Sequence, residues 1–266
     1  MLLAIDIGNT NIKLAVFKMN EIQPLLRFAV STVCKRTSDE YTLLFRQILH
    51  ENFFDTPSAA VITSVVPSIT PDIIKAAVSI TGKQPFIIGT GTHTGFQIKI
   101  DILSQLGADI VANTAAATNF VKAPFAIVDV GTATTFTAVN SEGHLIGTII
   151  APGATVSLDA LSSVGAQLTD VSFGKPRSII GKNSRDSIMS GAFNGHVCMI
   201  DGLIAKIKKE LCPCGETLSL VGTGGLSESI LPECRDKFSI FPDLTLAGAA
   251  LLYYNNCRNR HTNYTK

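Results

Sequence analysis

The sequence predicts an α/β protein made of two related lobes, each opening with a β-hairpin, and three observations lead there. The stretch Leu3-Ala4-Ile5-Asp6-Ile7-Gly8-Asn9-Thr10, followed by apolar residues 12–17, returns in mid-chain. There it reads Ala126-Ile127-Val128-Asp129-Val130-Gly131-Thr132-Ala133-Thr134, followed by residues 136–139. Short apolar strand-like runs alternate with helical patterns along the rest of the chain. Hydrophobic residues make up 46% and charged residues 16% of 266, which supplies apolar material for a sizeable core and excludes a disordered chain.

The two copies align Asp6 with Asp129 and Gly8 with Gly131. Their separation is far too long for a solenoid repeat. They are read as lobes dividing between Asn119 and Pro124, at 1–120 and 121–266. In the first lobe, residues 59–66 form a buried-strand run stopped by Pro67. The segment Pro67-Ser68-Ile69-Thr70-Pro71 leads into a helix through Ala77, with Thr70 as its cap and Pro71 at the first position, where a missing N–H is harmless. An alanine-rich helix is expected from about residue 103 to 121. In the second lobe, Ser184–Leu211 reads as one long helix or a broken pair. Residues 218–221 form a short strand emptying into Gly222-Thr223-Gly224-Gly225, and Leu226-Ser227-Glu228 starts a helix. Asp243 is expected to cap a last helix from Leu244 to about Asn255.

Lys plus Arg total 22 against 21 for Asp plus Glu, a net charge of +1, so no general attraction to nucleic acid or anionic lipid is expected. No run approaches the roughly 20 uninterrupted apolar residues of a membrane span. Met1-Leu2-Leu3-Ala4-Ile5 carries no basic leader before Asp6, so no export signal is read. The six cysteines are then expected as thiols in the reducing cytoplasm. His196, Cys198, Cys212 and Cys214 are the best metal-like group, but their spacing matches no common zinc pattern. The low charge also hints at apolar surface covered by a second subunit.

Two readings of the Asp-x-Gly turns stay open. Gly8-Asn9 suits an ordinary tight turn, because both residues tolerate positive φ. That reading does not require an aspartate at the end of the first strand in both copies. Two carboxylates on matching loops make a site for a cation or a cation-bound polyphosphate. Small neighbours let N–H and hydroxyl groups approach phosphate oxygens, and Lys13 adds positive charge. The loop at residues 222–225 suits either close approach to an anionic ligand or a plain strand-to-helix connection. Other phosphate motifs fail. Pro176 stands where a Walker A loop needs its first glycine, and Thr94 where a dinucleotide fingerprint needs its last. No Gly-x-Ser-x-Gly elbow is present.

The Asp-x-Gly-Asn-Thr opening, the mid-chain Asp-x-Gly-Thr-Ala-Thr-Thr and the Gly-Thr-Gly-Gly loop, in this order, resemble the actin/Hsp70/sugar-kinase superfamily. More narrowly, the chain is similar to type III pantothenate kinases. This match rests on residues 6–13, Leu106-Gly107-Ala108-Asp109, residues 128–135, Ala151-Pro152-Gly153, Gly181-Lys182-Asn183-Ser184 with Ser190-Gly191, and Leu244-Thr245-Leu246-Ala247-Gly248. The resemblance implies duplicated ribonuclease-H-like lobes with a nucleotide cleft between them, and ATP-dependent phosphorylation of pantothenate at the first step of coenzyme A biosynthesis. It implies ATP binding by Asp6, Gly8, Asn9, Thr10, Asn11, Lys13, Thr132, Gly224 and Gly225. Asp129 would bind a monovalent cation, K+ or NH4+, with Mg2+ accompanying the nucleotide. Asp109 matches the proton acceptor. Ile100, Gly107, Ala108, Ile110 and Ser184 would border pantothenate. A homodimer is implied, the partner subunit completing the acceptor pocket.

The chain departs from the family pattern around the acceptor. Gly107-Ala108-Asp109-Ile110 stands where the family has Gly-x-Asp-Arg, Ile100 and Leu103 replace a tyrosine and a proline, and Ser184 replaces a threonine. Losing a charged hydrogen bond to a bound acceptor costs about 1.5 to 3 kcal/mol. Two other readings therefore stand beside the kinase: a catalytically weak nucleotide-binding accessory factor, and a kinase for another small hydroxyl compound.

Overall fold

Two five-stranded sheets share one topology. The computed structural model describes residues 1–54, 56–164 and 171–262. In the first sheet β1 (Leu2–Ile7), β2 (Asn11–Phe17) and β3 (Pro24–Ser31) form an antiparallel meander, and β4 (Ala59–Ser64) and β5 (Phe86–Ile87) join in parallel, in the order β3-β2-β1-β4-β5. The second repeats it with β6 (Phe125–Val130), β7 (Ala133–Val139), β8 (Leu145–Pro152), β9 (Ser219–Thr223) and β10 (Ser239–Ile240), in the order β8-β7-β6-β9-β10. The central strands β1 and β6 are buried throughout except at one position, which is Asp6 in one and Asp129 in the other. A strand covered on both faces needs a continuous apolar run, and both supply it up to that carboxylate.

In the first unit α1 (Ser38–Glu51) and α2 (Thr70–Thr81) pack together, and their Tyr41, Phe45, Ile73 and Ala77 share a core cluster with Leu3, Ile5 and Ile7 of β1. Thr37 and Glu40 close α1 with a reciprocal capping box. Thr70 does not cap α2. It is the first helical residue, and its hydroxyl donates back to the Val66 carbonyl at 2.8 Å. Gly82 ends α2 in the left-handed region at φ +68°. The expected helix over 103–121 is split: a 3-10 turn at Leu103–Gln105 precedes α3 (Ala108–Phe120).

In the second unit α4 (Ala154–Val164) packs on α5 (Ser184–Leu211), which runs unbroken for 28 residues. By length and composition α5 would pass for a membrane span, but Phe193, Val197, Ile200, Ile204 and Ile207 lie in the core cluster with Ala126, Val128 and Val130 of β6. The short α6 (Ser227–Ile230) follows β9. The last helix, α7 (Leu244–Thr262), starts directly after Asp243 and passes Asn255.

The division at 1–120 and 121–266 is corrected in two places. One compact unit holds residues 1–95, 101–119 and the chain from Leu244 onward; the other holds Phe96–Ile100 and Phe120–Asp243. The short segment crosses because the Lys99 N–H donates to the Leu145 carbonyl at 2.8 Å and the Leu145 N–H to Gln97 at 3.0 Å, which ties it to β8. The helix α7 returns because it packs on β1, β2 and β4. Tyr254 fastens it there by donating to the carbonyls of Lys18 and Glu21, at 3.1 and 3.2 Å.

Candidate active site

The first hairpin tip is built from side chains. Asp6 lies opposite Lys13 of β2 and beside Thr63 of β4, whose hydroxyl donates to Asp6 Oδ1 at 2.8 Å. The three-residue tip Gly8-Asn9-Thr10 is closed by the Gly8 N–H donating to Asn11 at 3.1 Å. Behind it, the Thr32 hydroxyl donates to the Gly8 carbonyl at 2.7 Å and the Thr32 N–H to Thr10 at 3.0 Å. A Cβ on Gly8 would sit 2.9 Å from the Asn11 oxygen, so glycine is needed for closure. Asn9, Thr10 and Asn11 are exposed, and Lys13 is half-buried.

The second tip is walled by glycines. Asp129 lies opposite Thr135 of β7 and beside Thr223 of β9. Gly224, at φ +97°, presses on it: a Cβ there would fall 2.5 Å from Asp129 Oδ1 and 2.6 Å from the Val130 backbone. Gly131 would place a Cβ 3.5 Å from the same oxygen. The turn Gly131-Thr132 is only two residues long. Gly153 covers it, donating its N–H to the Thr132 carbonyl at 3.1 Å, in a space that no side chain could share. Thr132 and Gly225 are exposed, while Gly224 is buried. A carboxylate oxygen beside glycine backbone suits a cation or an anion-bound cation, because Gly224 brings no side chain against it.

Asp109 occupies the first turn of α3. It is half-buried rather than out on a solvated flank, and burial holds its carboxyl above the ordinary aspartate range. The Ile110 N–H, which donates to Oδ1 at 2.9 Å, pulls the other way. A side chain on Gly107 would collide with this carboxylate, so the glycine leaves the space into which Asp109 folds back. Ala108 is half-buried beside it. Ile110, at the family's arginine position, is buried.

The helix α3 is held from its other side by α7. Gly248 lies against Ala112 so closely that any side chain would overlap its carbonyl, and Thr245 donates to the buried Asn113 at 2.8 Å. Gly107, Ala108, Asp109 and Ile110 are thus one local group. Ile100 and Ser184 belong to the other compact unit. Ile100 is half-buried beside β8, and Ser184 is the exposed first residue of α5, just after Asn183, whose side chain accepts the Asp186 N–H at 2.8 Å.

The metal-like group does not assemble. His196 Nε2 is 2.8 Å from Thr134 Oγ1, and among the described residues no three His, Cys, Asp or Glu side chains group to hold a metal ion. Sequence reasoning missed Thr63 and Thr223, which flank the two aspartates from the parallel neighbour strands. The signal was present: Val61-Ile62-Thr63-Ser64 and Val221-Gly222-Thr223-Gly224 continue the internal repeat.

Comparison with known proteins accords with this layout. The family model described as type III pantothenate kinase matches residues 2–206. The type III pantothenate kinase of Exiguobacterium sibiricum is 36% identical over 258 residues, covering 96% of this chain and 100% of that one. The same-named protein of Myxococcus xanthus is 37% identical, covering 96% and 99%. Among solved structures, the activator of 2-hydroxyisocaproyl-CoA dehydratase from Clostridium difficile aligns at TM-score 0.53 and 11% identity, covering 98% of this chain and 97% of that one. The paired sheets are the duplicated ribonuclease-H-like lobes of the actin-like and sugar-kinase fold. With relatives matched over almost their full length, the chain belongs to the type III pantothenate kinase family.

Proposed function

We propose that this protein transfers the γ-phosphoryl group of ATP to the primary hydroxyl of pantothenate, yielding 4′-phosphopantothenate and ADP at the first step of coenzyme A biosynthesis. The observation that carries the reading is Asp109, a half-buried carboxylate folded over Gly107 at the start of α3 within the family's motif. Phosphoryl transfer has a loose transition state, so the protein mainly aligns the reactants and stabilises charge. The hydroxyl oxygen bonds phosphorus as the bond to ADP breaks, and the hydroxyl proton passes to Asp109. A carboxyl raised by burial is a better match for that late proton than a solvated one.

The remaining roles follow from the two turns. Asp6, Gly8, Asn9, Thr10, Asn11 and Lys13 would hold the nucleotide phosphates with Mg2+, joined by Thr132, Gly224 and Gly225. Asp129 in its glycine cradle would hold K+ or NH4+, and such cations supply charge neutralisation on the polyphosphate. Gly107, Ala108, Ile110, Ile100 and Ser184 would border pantothenate. A homodimer is proposed as well, supported by the exposed Ile150, Ile179 and Ile180 of the second unit. Residence in the cytoplasm is supported by the six free thiols.

The test is an ADP-release assay with ATP, K+ and excess pantothenate. Turnover that depends on pantothenate and is lost in Asp109→Asn is expected; ATP binding without acceptor-dependent turnover would overturn the reading.

A further inference from the structure

We propose that His196 is a positioning residue for the Asp129 turn, holding it from behind through its hydrogen bond to Thr134. The inference rests on the nucleotide- and cation-binding reading of that turn. His196 Nε2 and Thr134 Oγ1 are 2.8 Å apart, and the residues are 6% and 0% exposed. They lie between β7 and α5, next to a cluster of Val130, Phe136, Phe193, Val197 and Ile200. Burial also keeps the imidazole's pKa below its ordinary value, so it stays neutral and hydrogen-bonding.

Packing alone does not need this pair. Thr134 pairs with Val130 across the hairpin, and the matching place in the first hairpin, where Ile7 pairs with Ile12, is held by a fully buried isoleucine. The same hairpin therefore folds in the first lobe with an apolar residue there. A buried hydroxyl and imidazole are expensive unless paired, and once paired they add direction to burial.

That direction acts on the turn. Across an antiparallel pair, opposed residues share a face and neighbours alternate. Thr134 and Val130 thus face α5, while Asp129 and Thr135 face the other way. Fixing Thr134 fixes the strand end on which the Gly131-Thr132 turn closes. The anchor is firm, because α5 is a single 28-residue helix. That helix also begins with Ser184, so one rigid element carries both the anchor and a proposed acceptor contact.

The test uses the full-length protein and the variants His196→Leu, Thr134→Val, their double and His196→Gln. In the double variant both polar partners are gone, so it should fold and melt close to the parent. Its KM for ATP and its K+ activation constant should nevertheless rise about tenfold, the equivalent of one buried hydrogen bond. The KM for pantothenate should change by less than about twofold, since the turn is not assigned to that substrate. His196→Gln, which can still reach Thr134, should recover most of the loss. A double variant with unchanged ATP and K+ constants would overturn the inference. So would an equal rise for both substrates. If the double does not fold, Thr134→Val compared with Thr134→Ser decides on the same constants. An unmodified protein lacking pantothenate-dependent turnover would instead sink the proposed function, a result distinct from normal turnover insensitive to these variants.

Discussion

The two hairpins are built on one plan and finished in opposite ways. Each ends a buried central strand on a half-buried aspartate followed by an Asp-x-Gly turn, with a threonine beside it from the parallel strand. In the first lobe the tip has three residues strapped by Thr32, and Asp6 has the Thr63 hydroxyl beside it and Lys13 across the ladder. In the second the tip has two residues, and Gly131 and Gly224 lie beside Asp129. The first arrangement gathers polar side chains around its tip; the second sets glycine backbone beside its carboxylate. The two turns share a scaffold and differ in the residues next to each aspartate.

Substitutions can break that comparison, and the largest effect is expected at Gly224. A methyl group there would overlap Asp129 and the Val130 backbone at a positive φ, so Gly224→Ala should cost about 2 to 4 kcal/mol and abolish turnover. Gly225→Ala, with no protein atom within 4 Å of the added Cβ, should leave the melting temperature near normal. Thermal unfolding and K+-dependent turnover read the contrast.

Asp109→Asn comes next and should lower kcat by roughly 10² to 10⁴. Its stability should move the other way. A carboxyl whose folded pKa is raised favours its protonated form, so its contribution is present in acid and lost as pH rises through that value. The amide carries no such loss and still accepts the Ile110 N–H. The variant should therefore melt at or above the parent at neutral pH, with the gap closing in acid. Lower stability of the variant at neutral pH would contradict this.

Thr63→Val removes the donor to Asp6 and should weaken ATP binding about three- to tenfold, with the K+ response intact. The smallest effect is the pH dependence of stability at His196. Its lowered pKa means that its stabilising contribution holds above the ordinary histidine range, about pH 6.5, and is lost as pH falls below it. His196→Gln should flatten that part of the melting profile.

The sequence reveals local features far better than returns of the chain. The twin turns and the α5 span, the latter as one helix or a broken pair, depend on residues adjacent in order, whereas the Asp109 motif is legible only through the family resemblance. The role of Leu244-Thr245-Leu246-Ala247-Gly248 could not. Gly248 is explained only by Ala112, and Thr245 only by Asn113, both on a helix more than a hundred residues earlier. The same long-range packing carries α7 into the first unit. The repeat that carries Thr63 and Thr223 is fainter for a milder reason: it continues on parallel neighbours of β1 and β6, joined by crossovers of different length. The edge strand β3, alternately half-buried and exposed, and the helix α1 left too weak a pattern beside the stronger repeat.

The division of labour proposed for the two turns is tested most directly by titrating K+ and ATP against Asp6→Asn and Asp129→Asn side by side. Asp129→Asn should lose its K+ dependence with most of its activity, while Asp6→Asn should keep the K+ activation constant and lose ATP affinity. A full K+ response in Asp129→Asn, or equal losses in both variants, would contradict the account.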